Sequence, residues 1–434
     1  NASYKDFIFL GVTGRNDWSS TLPSNNWSYF YPSVSFGLDV TRAFSLQSNI
    51  LSYAKLRSSW AKVGGDTDPY QLENTYSATS FNNIAVFAPG LTFPPADLKP
   101  QETKSYEIGA DLRFLRNRFS LDVTYYDQTT VNQILTVASS STTGFTGLKL
   151  NAGEIENSGV EVMLDSKILQ NPAGLSWNLT LNWAKNKNMV NSLYGGLTSY
   201  QISGGQGGFK TVGMPGQPWG LLWGLPYVRD PKTNKIIVTN SGVPASTNVP
   251  TSLGVVTPDW VGGITNSFQY KNFNLRFLID LRKGGKYWSV SVKQSWATGS
   301  AMKTVENNVR ENGIIVDGVK QDGTPNDVRI SAQDYFNGAW IWNNMEYQIV
   351  DGSYAKLREL VLGYTFNVKR TKWLQGLNLS VYGRNLAILY RSKMAKEYGL
   401  DPEIAMGGGE GSLGFENHQL PPTRDLGVKL SVSF

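Results

Sequence analysis

The chain has 434 residues, with 40 Lys or Arg against 34 Asp or Glu, one histidine and no cysteine. Charged residues are only 17% and aromatics 12%, with 44 glycines, 21 tyrosines and 13 tryptophans, a balance that favours an all-β chain with many turns. Without cysteine there is no disulfide framework, thiol nucleophile or Cys-based metal site; the single His418 removes His-rich metal sites and most Ser-His-Asp chemistry; and the net charge of +6 is spread without any basic run of the nucleic-acid-binding kind.

No run of 18 apolar residues occurs, so no transmembrane helix is expected. A membrane β-strand needs only about 10 residues with every second one apolar. In chain order, period-2 alternation predicts a strand over 33–40, where Val34, Phe36, Leu38 and Val40 alternate with Ser33, Ser35, Gly37 and Asp39. It recurs over 106–114 (Tyr106, Ile108, Ala110, Leu112, Phe114), 119–126 (Phe119, Leu121, Val123, Tyr125), 160–165 (Val160, Val162, Leu164) and 175–183 (Leu175, Trp177, Leu179, Leu181, Trp183). Further strands are predicted over 273–282 (Phe273, Leu275, Phe277, Ile279, Leu281) and 377–384 (Leu377, Leu379, Val381). Less regular patterns cover 4–14, 51–63, 260–269 and 353–366, the last shifting phase near Leu357 as a β-bulge would. The terminal DLGVKLSVSF (425–434) alternates Leu426, Val428, Leu430, Val432 and Phe434 with polar residues. The sum is about 12 long strands.

The connections alternate in length. Those at about 15–29, 64–102, 129–153, 188–258, 284–351 and 389–422 are long, while 41–50, 115–117, 168–173, 270–271 and 367–375 are short. Soluble domains rarely carry several loops beyond roughly 15 residues, whereas an outer-membrane barrel has short periplasmic turns and long extracellular loops. Asp111, Arg113, Asp122, Glu161, Asp165, Arg276, Asp280, Arg282 and Arg384 share the polar face, as in a wet lumen. The apolar face often ends in aromatics, among them Phe114, Phe119, Trp177, Trp183 and Phe366, as an interfacial girdle does. The expected fold is therefore all-β, an antiparallel transmembrane β-barrel with long extracellular loops and short periplasmic turns. A soluble sandwich or propeller with decorated loops is the alternative the pattern leaves open.

Several segments carry more than pattern. LKPQETKSYEIGADLRFLRNRFSLDVTYYDQTT (98–130), NAGEIENSGVEVML (151–164), VGMPGQPWGLLWG (212–224), DGSYAKLRELVLGYTF (351–366), GRNLAILYRSKMAKEYGLDPE (383–403) and PPTRDLGVKLSVSF (421–434) follow one another in a fixed order. Together they resemble the SusC/RagA-like TonB-dependent transporters of Bacteroidetes. The stretch NIAVFAPGLTFPPADLKPQET departs from that family's shorter form, so the loop before 101 is atypical. The resemblance implies about 12 C-terminal strands of a 22-stranded, plugged barrel of the kind known among outer-membrane transporters. Residues 1–434 are thus expected to be the C-terminal part of a receptor barrel, with the plug domain, TonB box and first strands absent from this chain. A half barrel would expose two hydrogen-bonding edges in lipid, so it is expected to need that missing half.

Candidate sites are few. Trp219, Trp223, Tyr227, Trp288, Trp340 and Trp342 lie in the expected extracellular loops and offer aromatic faces to a sugar or peptide; the competing reading is loop packing. Gly409-x-Gly411-x-x-Gly414 lacks the strand and helix flanks of a dinucleotide fingerprint and reads as a loop. DPKTNK (230–235) reads as a hairpin turn. DGVKQDGTPND (317–327) reads as surface turns, with a structural cation as the alternative, since EF-hand spacing is absent. His418 has no second histidine or fixed partner and reads as an ordinary loop residue. Glu161 and Asp165 are four apart on one strand face, roughly 13 Å along it, beyond the separations glycosidases use. No catalytic residue, cofactor or metal is expected. Phe434, Val432 and Leu430 resemble the C-terminal signal by which outer-membrane barrels are recognised for insertion.

The function implied by the resemblance is TonB-dependent import of oligosaccharides or peptides across a Gram-negative outer membrane. The implied partners are a SusD-like surface lipoprotein, TonB-ExbB-ExbD acting through the missing N-terminal part, the remaining half of the barrel and outer-membrane lipid. A structural or secretion-associated barrel subunit that no longer imports a nutrient is the alternative, and an outer-membrane enzyme lacks a nucleophile or base constellation.

Overall fold

The computed structural model describes residues 1–171, 173–204, 208–368, 373–404 and 413–434. Two compact units are present: residues 1–200 with 214–218, and residues 201–213 with 219–434. No helix among the described residues is long and apolar enough to cross a membrane, which leaves open a crossing by strands.

In the first unit the long strands pair antiparallel with their neighbours in sequence. They are β1 (Ala2–Tyr4), β2 (Ile8–Trp18), β3 (Ser28–Asp39), β4 (Leu51–Gly65), β5 (Gln101–Phe114), β6 (Phe119–Val131), β7 (Gly153–Leu169) and β8 (Leu175–Leu193). The strand expected over 4–14 is split. Lys5 and Asp6 take positive φ of 47° and 56° and fold β1 back on β2, with Tyr4 opposite Ile8. A turn there overrides the alternation because the pattern reports sidedness, not chain direction.

The second unit continues the same architecture with β9 (Pro258–Tyr270), β10 (Phe273–Gly284), β11 (Tyr354–Phe366), β12 (Gly376–Arg391) and β13 (Asp425–Ser433), again paired antiparallel in sequence order. The phase shift near Leu357 is a bulge. Leu357 pairs with Ile279 and Glu359 with Leu278, which leaves Arg358 without a partner opposite.

Several strands run further than their alternation. β7 begins at Gly153 and β8 ends at Leu193, each well beyond the apolar repeat. In GEIENSG and AKNKN apolar residues no longer recur at every second position, so period 2 carries no signal, and the ladder pairing continues the strand.

The alternating apolar residues are not a core. Tyr106 and Ile108 of β5 are 58% and 64% exposed, and Val428 and Leu430 of β13 are 68% and 61% exposed. Large apolar side chains left outside at every second position mark a surface meant for another apolar phase. The opposite face is polar and cross-linked. Arg57 holds Asp122 through two bonds of 2.6 Å, Tyr126 donates to Asn186 at 3.0 Å, and Arg113 pairs with Asp111 at 3.2 Å.

The buried apolar clusters lie instead in the connections of the second unit. One joins Tyr287, Val292, Trp296, Trp340, Ile341, Tyr347, Ala395 and Leu400. A second joins Phe209, Leu222, Leu253, Trp288, Val290, Met345 and Phe415. The described residues of the connections 208–257, 285–353, 392–404 and 413–424 therefore fold as a small globular layer with its own core.

Candidate functional site

The layer is built up from the end of β10. Gly284 and Gly285 both take φ of +74°, and a Cβ on Gly285 would meet the Val256 carbonyl at 2.6 Å. This glycine pair turns the chain into the short strand Lys286–Ser289, which pairs antiparallel with Ile349–Asp351 and parallel with Phe415–Glu416. A helix follows at once over Val290–Ala297. Ser289 caps it, accepting from the Val292 amide at 3.2 Å, and Glu416 accepts from the Ser291 amide at 3.1 Å. Two otherwise unpaired amides are thereby satisfied, with a carboxylate at the positive end of the helix.

Glu416 is buried and also receives Ser289 Oγ at 2.5 Å, Ser291 Oγ at 2.8 Å and the His418 amide at 2.8 Å. His418 is thus not a bare loop residue: its Nδ1 lies 3.1 Å from Ser291 Oγ. The set resembles a nucleophile constellation only in composition. A hydroxyl has one proton, and Ser291 directs it to the nearer Glu416 Oε1, so the group ties strand 415–416 to the helix cap.

Helix spacing sends Val292 and Trp296 to one buried face. Trp296 meets Phe336 edge-on at 5.2 Å and tilts over Tyr347 at 4.6 Å, while its Nε1 donates to Tyr398 Oη at 2.5 Å. Burial pushes the Tyr398 hydroxyl up to about 12 and moves those of Tyr335 and Tyr347 upward as well. These phenols stay neutral donors across the physiological range.

The six aromatics singled out from sequence fall into different settings. Trp288 is 1% exposed and stacks on Phe209 at 5.1 Å in the second cluster. Trp340 is buried in the first, with Tyr227 tilted over it at 6.0 Å and Nε1 donating to the Tyr335 carbonyl at 2.8 Å. Trp219, Trp223 and Tyr227 are half-buried, and burial raises the Tyr227 hydroxyl far above its ordinary value. Trp342 is 47% exposed. Beneath its ring, 3.6 Å from the centroid, lies the ammonium of Lys293, whose residue is only 2% exposed and whose pKa burial pushes down.

A charged cluster joins the strand ends to this layer. Lys356 Nζ lies 2.5 Å from Asp401 and 2.7 Å from Glu403, and the bulged Arg358 reaches Glu403 at 3.0 Å and Asp280. Burial opposes the charge on Glu403, but the bonds from Arg358 and Lys356 outweigh it and hold its carboxyl below the usual range. The Y-G-x-D-P-E stretch supplies both carboxylates, a role its sequence gives no means of reading.

The remaining motifs are local. Asp230 accepts from Thr233 at 2.6 Å inside the expected turn, with Arg229 bridged to Ile236. Asp317 pairs with Lys235, Asp322 accepts from Thr324, and Asp327 pairs with Lys320, so the three acids point to separate partners. Asp165 accepts from Thr180 at 2.6 Å, and Glu161 lies with Arg57, Glu107 and Asn157 in a polar recess. Gly409 and Gly411 lie outside the described residues. At the chain end Phe434 stacks on Trp373 with centroids 5.8 Å apart, and Leu430 and Val432 face outward.

A family model described as TonB dependent receptor-like, beta-barrel matches residues 5–386. TonB-dependent receptor P26 of Formosa agariphila is 24% identical over 465 residues, an alignment covering 100% of this chain and 45% of that protein. TonB-dependent receptor SusC of Bacteroides thetaiotaomicron is 24% identical, with 94% of this chain and 41% of that protein covered. Among solved structures, that of the RagAB peptide transporter superposes with a TM-score of 0.75 at 20% identity, covering 99% of this chain and 46% of that one. This likeness shows the fold. The chain spans a little under half the length of the curated relatives it matches.

Proposed function

The chain belongs to the TonB-dependent receptor, SusC/RagA-like family of outer-membrane β-barrels, and from that premise we propose that it forms the C-terminal part of an energy-coupled importer. The plug, the TonB-contacting segment and the remaining strands come from sequence outside this chain. The long connections face the cell exterior and the short ones the periplasm. Oligosaccharides or peptides are the cargo, captured with a SusD-like lipoprotein, and TonB-ExbB-ExbD drives entry. No step of this process needs chemistry on the cargo.

The observation that carries this reading is the division of labour between strands and connections. The strands offer lipid an apolar face and keep an ion-paired polar face, while the described residues of the connections 208–257, 285–353, 392–404 and 413–424 build a separate aromatic layer with its own core. A wall and a folded outer layer suit a transporter that must bind outside and conduct within. The two catalogued relatives named for TonB and the likeness to a peptide transporter agree with import but leave the cargo open.

The test is genetic and biochemical. The full-length protein should extract from outer membranes only with detergent, co-purify with a surface lipoprotein, and take up its cargo only when the proton gradient is intact. Recovery as a soluble periplasmic protein overturns the reading, as does uptake unaffected by collapse of the gradient.

A further inference from the structure

We propose that four glycines on the polar face of the strands are register keys: each receives a side chain from the strand directly opposite and so fixes how far the two strands slide past one another. They are Gly109 of β5, Gly159 of β7, Gly363 of β11 and Gly427 of β13. Each stands inside one of the ordered motifs, in EIGADL, NSGVEV, LGYTF and DLGVKL.

In every case the missing side chain leaves room that a neighbour fills. A Cβ on Gly109 would stand 2.6 Å from Arg57 Nε, and one on Gly427 would stand 2.5 Å from both Oη and Cζ of Tyr382. On Gly159 it would meet Tyr126 Oη and the Lys185 carbonyl, both at 2.5 Å, and on Gly363 it would collide with Asn274 Oδ1. Each covering residue is the direct ladder partner: Arg57 lies opposite Gly109, Tyr126 opposite Gly159, Asn274 opposite Gly363 and Tyr382 opposite Gly427. Two of them continue across the glycine to the strand beyond. Arg57 passes over β5 and holds Asp122 and Thr124 of β6, while Tyr126 passes over β7 and donates to Asn186 of β8 at 3.0 Å. Thr124 and Asn186 are the partners of the same two glycines on their other side. Each of these glycines is thus a notch through which one side chain ties three strands.

The ladders concerned are those in which nothing else sets the register. A tight turn fixes the register of a hairpin through its length, but these four pairs are joined by the connections 66–100, 132–152, 285–353 and 392–424. Apolar alternation forbids a slip of one residue, because that turns every side chain to the wrong face. It permits a slip of two, roughly 7 Å along the strand. Such a slip sets Asn157 or Glu161 opposite Tyr126, and Asp425 or Lys429 opposite Tyr382. A Cβ then occupies the place that the ring takes. In a closed barrel the stagger of the strands is linked to their number and tilt, so a slip in one ladder spoils closure. Glycine inside a strand otherwise only weakens it.

The experiment uses the full-length protein assembled in outer membranes, with folded barrel read by heat-modifiable mobility. Gly427→Ala should lower the folded fraction about tenfold, the scale of overpacking a tight site; backbone propensity alone predicts a gain. Adding Tyr382→Ser to that chain should restore it. Gly153→Ala should assemble as the wild type, because the atom nearest to a Cβ there is 3.7 Å away. Register is read by disulfide formation in a background freed of any other cysteine. Val381→Cys with Val428→Cys reports the native pairing, and Val381→Cys with Leu430→Cys reports a slip of two. Tyr382→Ser alone should raise cross-linking of the second pair several-fold over its level with the tyrosine in place. Normal assembly of Gly427→Ala, no restoration by Tyr382→Ser, or a second pair that stays at its original level each overturns the proposal. A Tyr382→Ser chain that cannot insert overturns it as well, because removing the covering ring creates no clash.

Discussion

Lys356 Nζ lies 2.5 Å from Asp401 Oδ1, with both side chains nearly closed to solvent. The pair joins a barrel strand to the loop after β12, and Glu403 completes it at 2.7 Å. A buried ion pair gives little net stability over an apolar replacement, but removing one partner leaves the other charged and dry. Lys356→Met should therefore destabilise the connection layer by about 3–5 kcal/mol. Limited proteolysis should show new cleavage within 392–404, and the Lys356→Met/Asp401→Asn double variant should recover part of the loss. Unchanged protection in the single variant would refute this.

The same cluster sets an acid limit. The folded pKa of Glu403 is held below its ordinary value by Arg358 and Lys356. Its contribution is full above about pH 4.3, the unfolded carboxyl value, and fades as pH falls from there through the lower folded pKa. Hydrogen exchange of residues 400–404 should be flat from pH 7 to 5, after correction for intrinsic rates, and accelerate only below. Glu403→Gln should remove that step; a step persisting in the variant would assign it to another group.

Trp288 and Trp342 were equivalent candidates in sequence and are not equivalent in space. Trp288→Ala removes a ring that is 1% exposed and stacked on Phe209, and should cost about 3–5 kcal/mol. Trp342→Ala removes a half-exposed ring, so stability should change by only about 0.5 kcal/mol, apart from what uncovering Lys293 contributes. Thermal unfolding followed by near-UV dichroism distinguishes the two. Equal losses would mean that burial does not separate these rings.

Phe434 is expected to act in assembly. Deleting it leaves the β12–β13 ladder intact, because pairing ends at Ser433 opposite Gly376, yet outer-membrane insertion of the full-length protein should fall. Heat-modifiable mobility in gels reports folded barrel directly. Normal insertion of the deletion would remove the signal reading of the C-terminus. Trp373→Ala tests whether the stacked ring at 5.8 Å shares that role.

Much of the strand framework was legible because alternation is a local property. Tyr106, Ile108, Leu379 and Val381 announce their strands without knowledge of any partner. The signal ended where both faces became polar, as in 184–193, and it misjudged 4–14, where a turn interrupts an apolar run. The site was less legible. Trp296, Tyr335 and Phe336 sit in a region that reads as one long irregular loop, and their packing depends on helix Val290–Ala297 meeting residues 302–336.

The sequence by itself determined a β-rich chain with several long connections, the family, and the absence of any cysteine or histidine cluster for catalysis. These follow from composition, period 2 and ordered motifs, none of which needs distant residues to meet. Only the tertiary structure decided that Trp288 and Trp340 are core, that Trp342 covers Lys293, and that His418 joins Ser291 and Glu416. It likewise brought Asp401 and Glu403 back to Lys356 across some 45 residues. Burial and ion pairing are set by contacts between segments far apart in the chain, and a side chain's identity does not state which of its neighbours will exclude water.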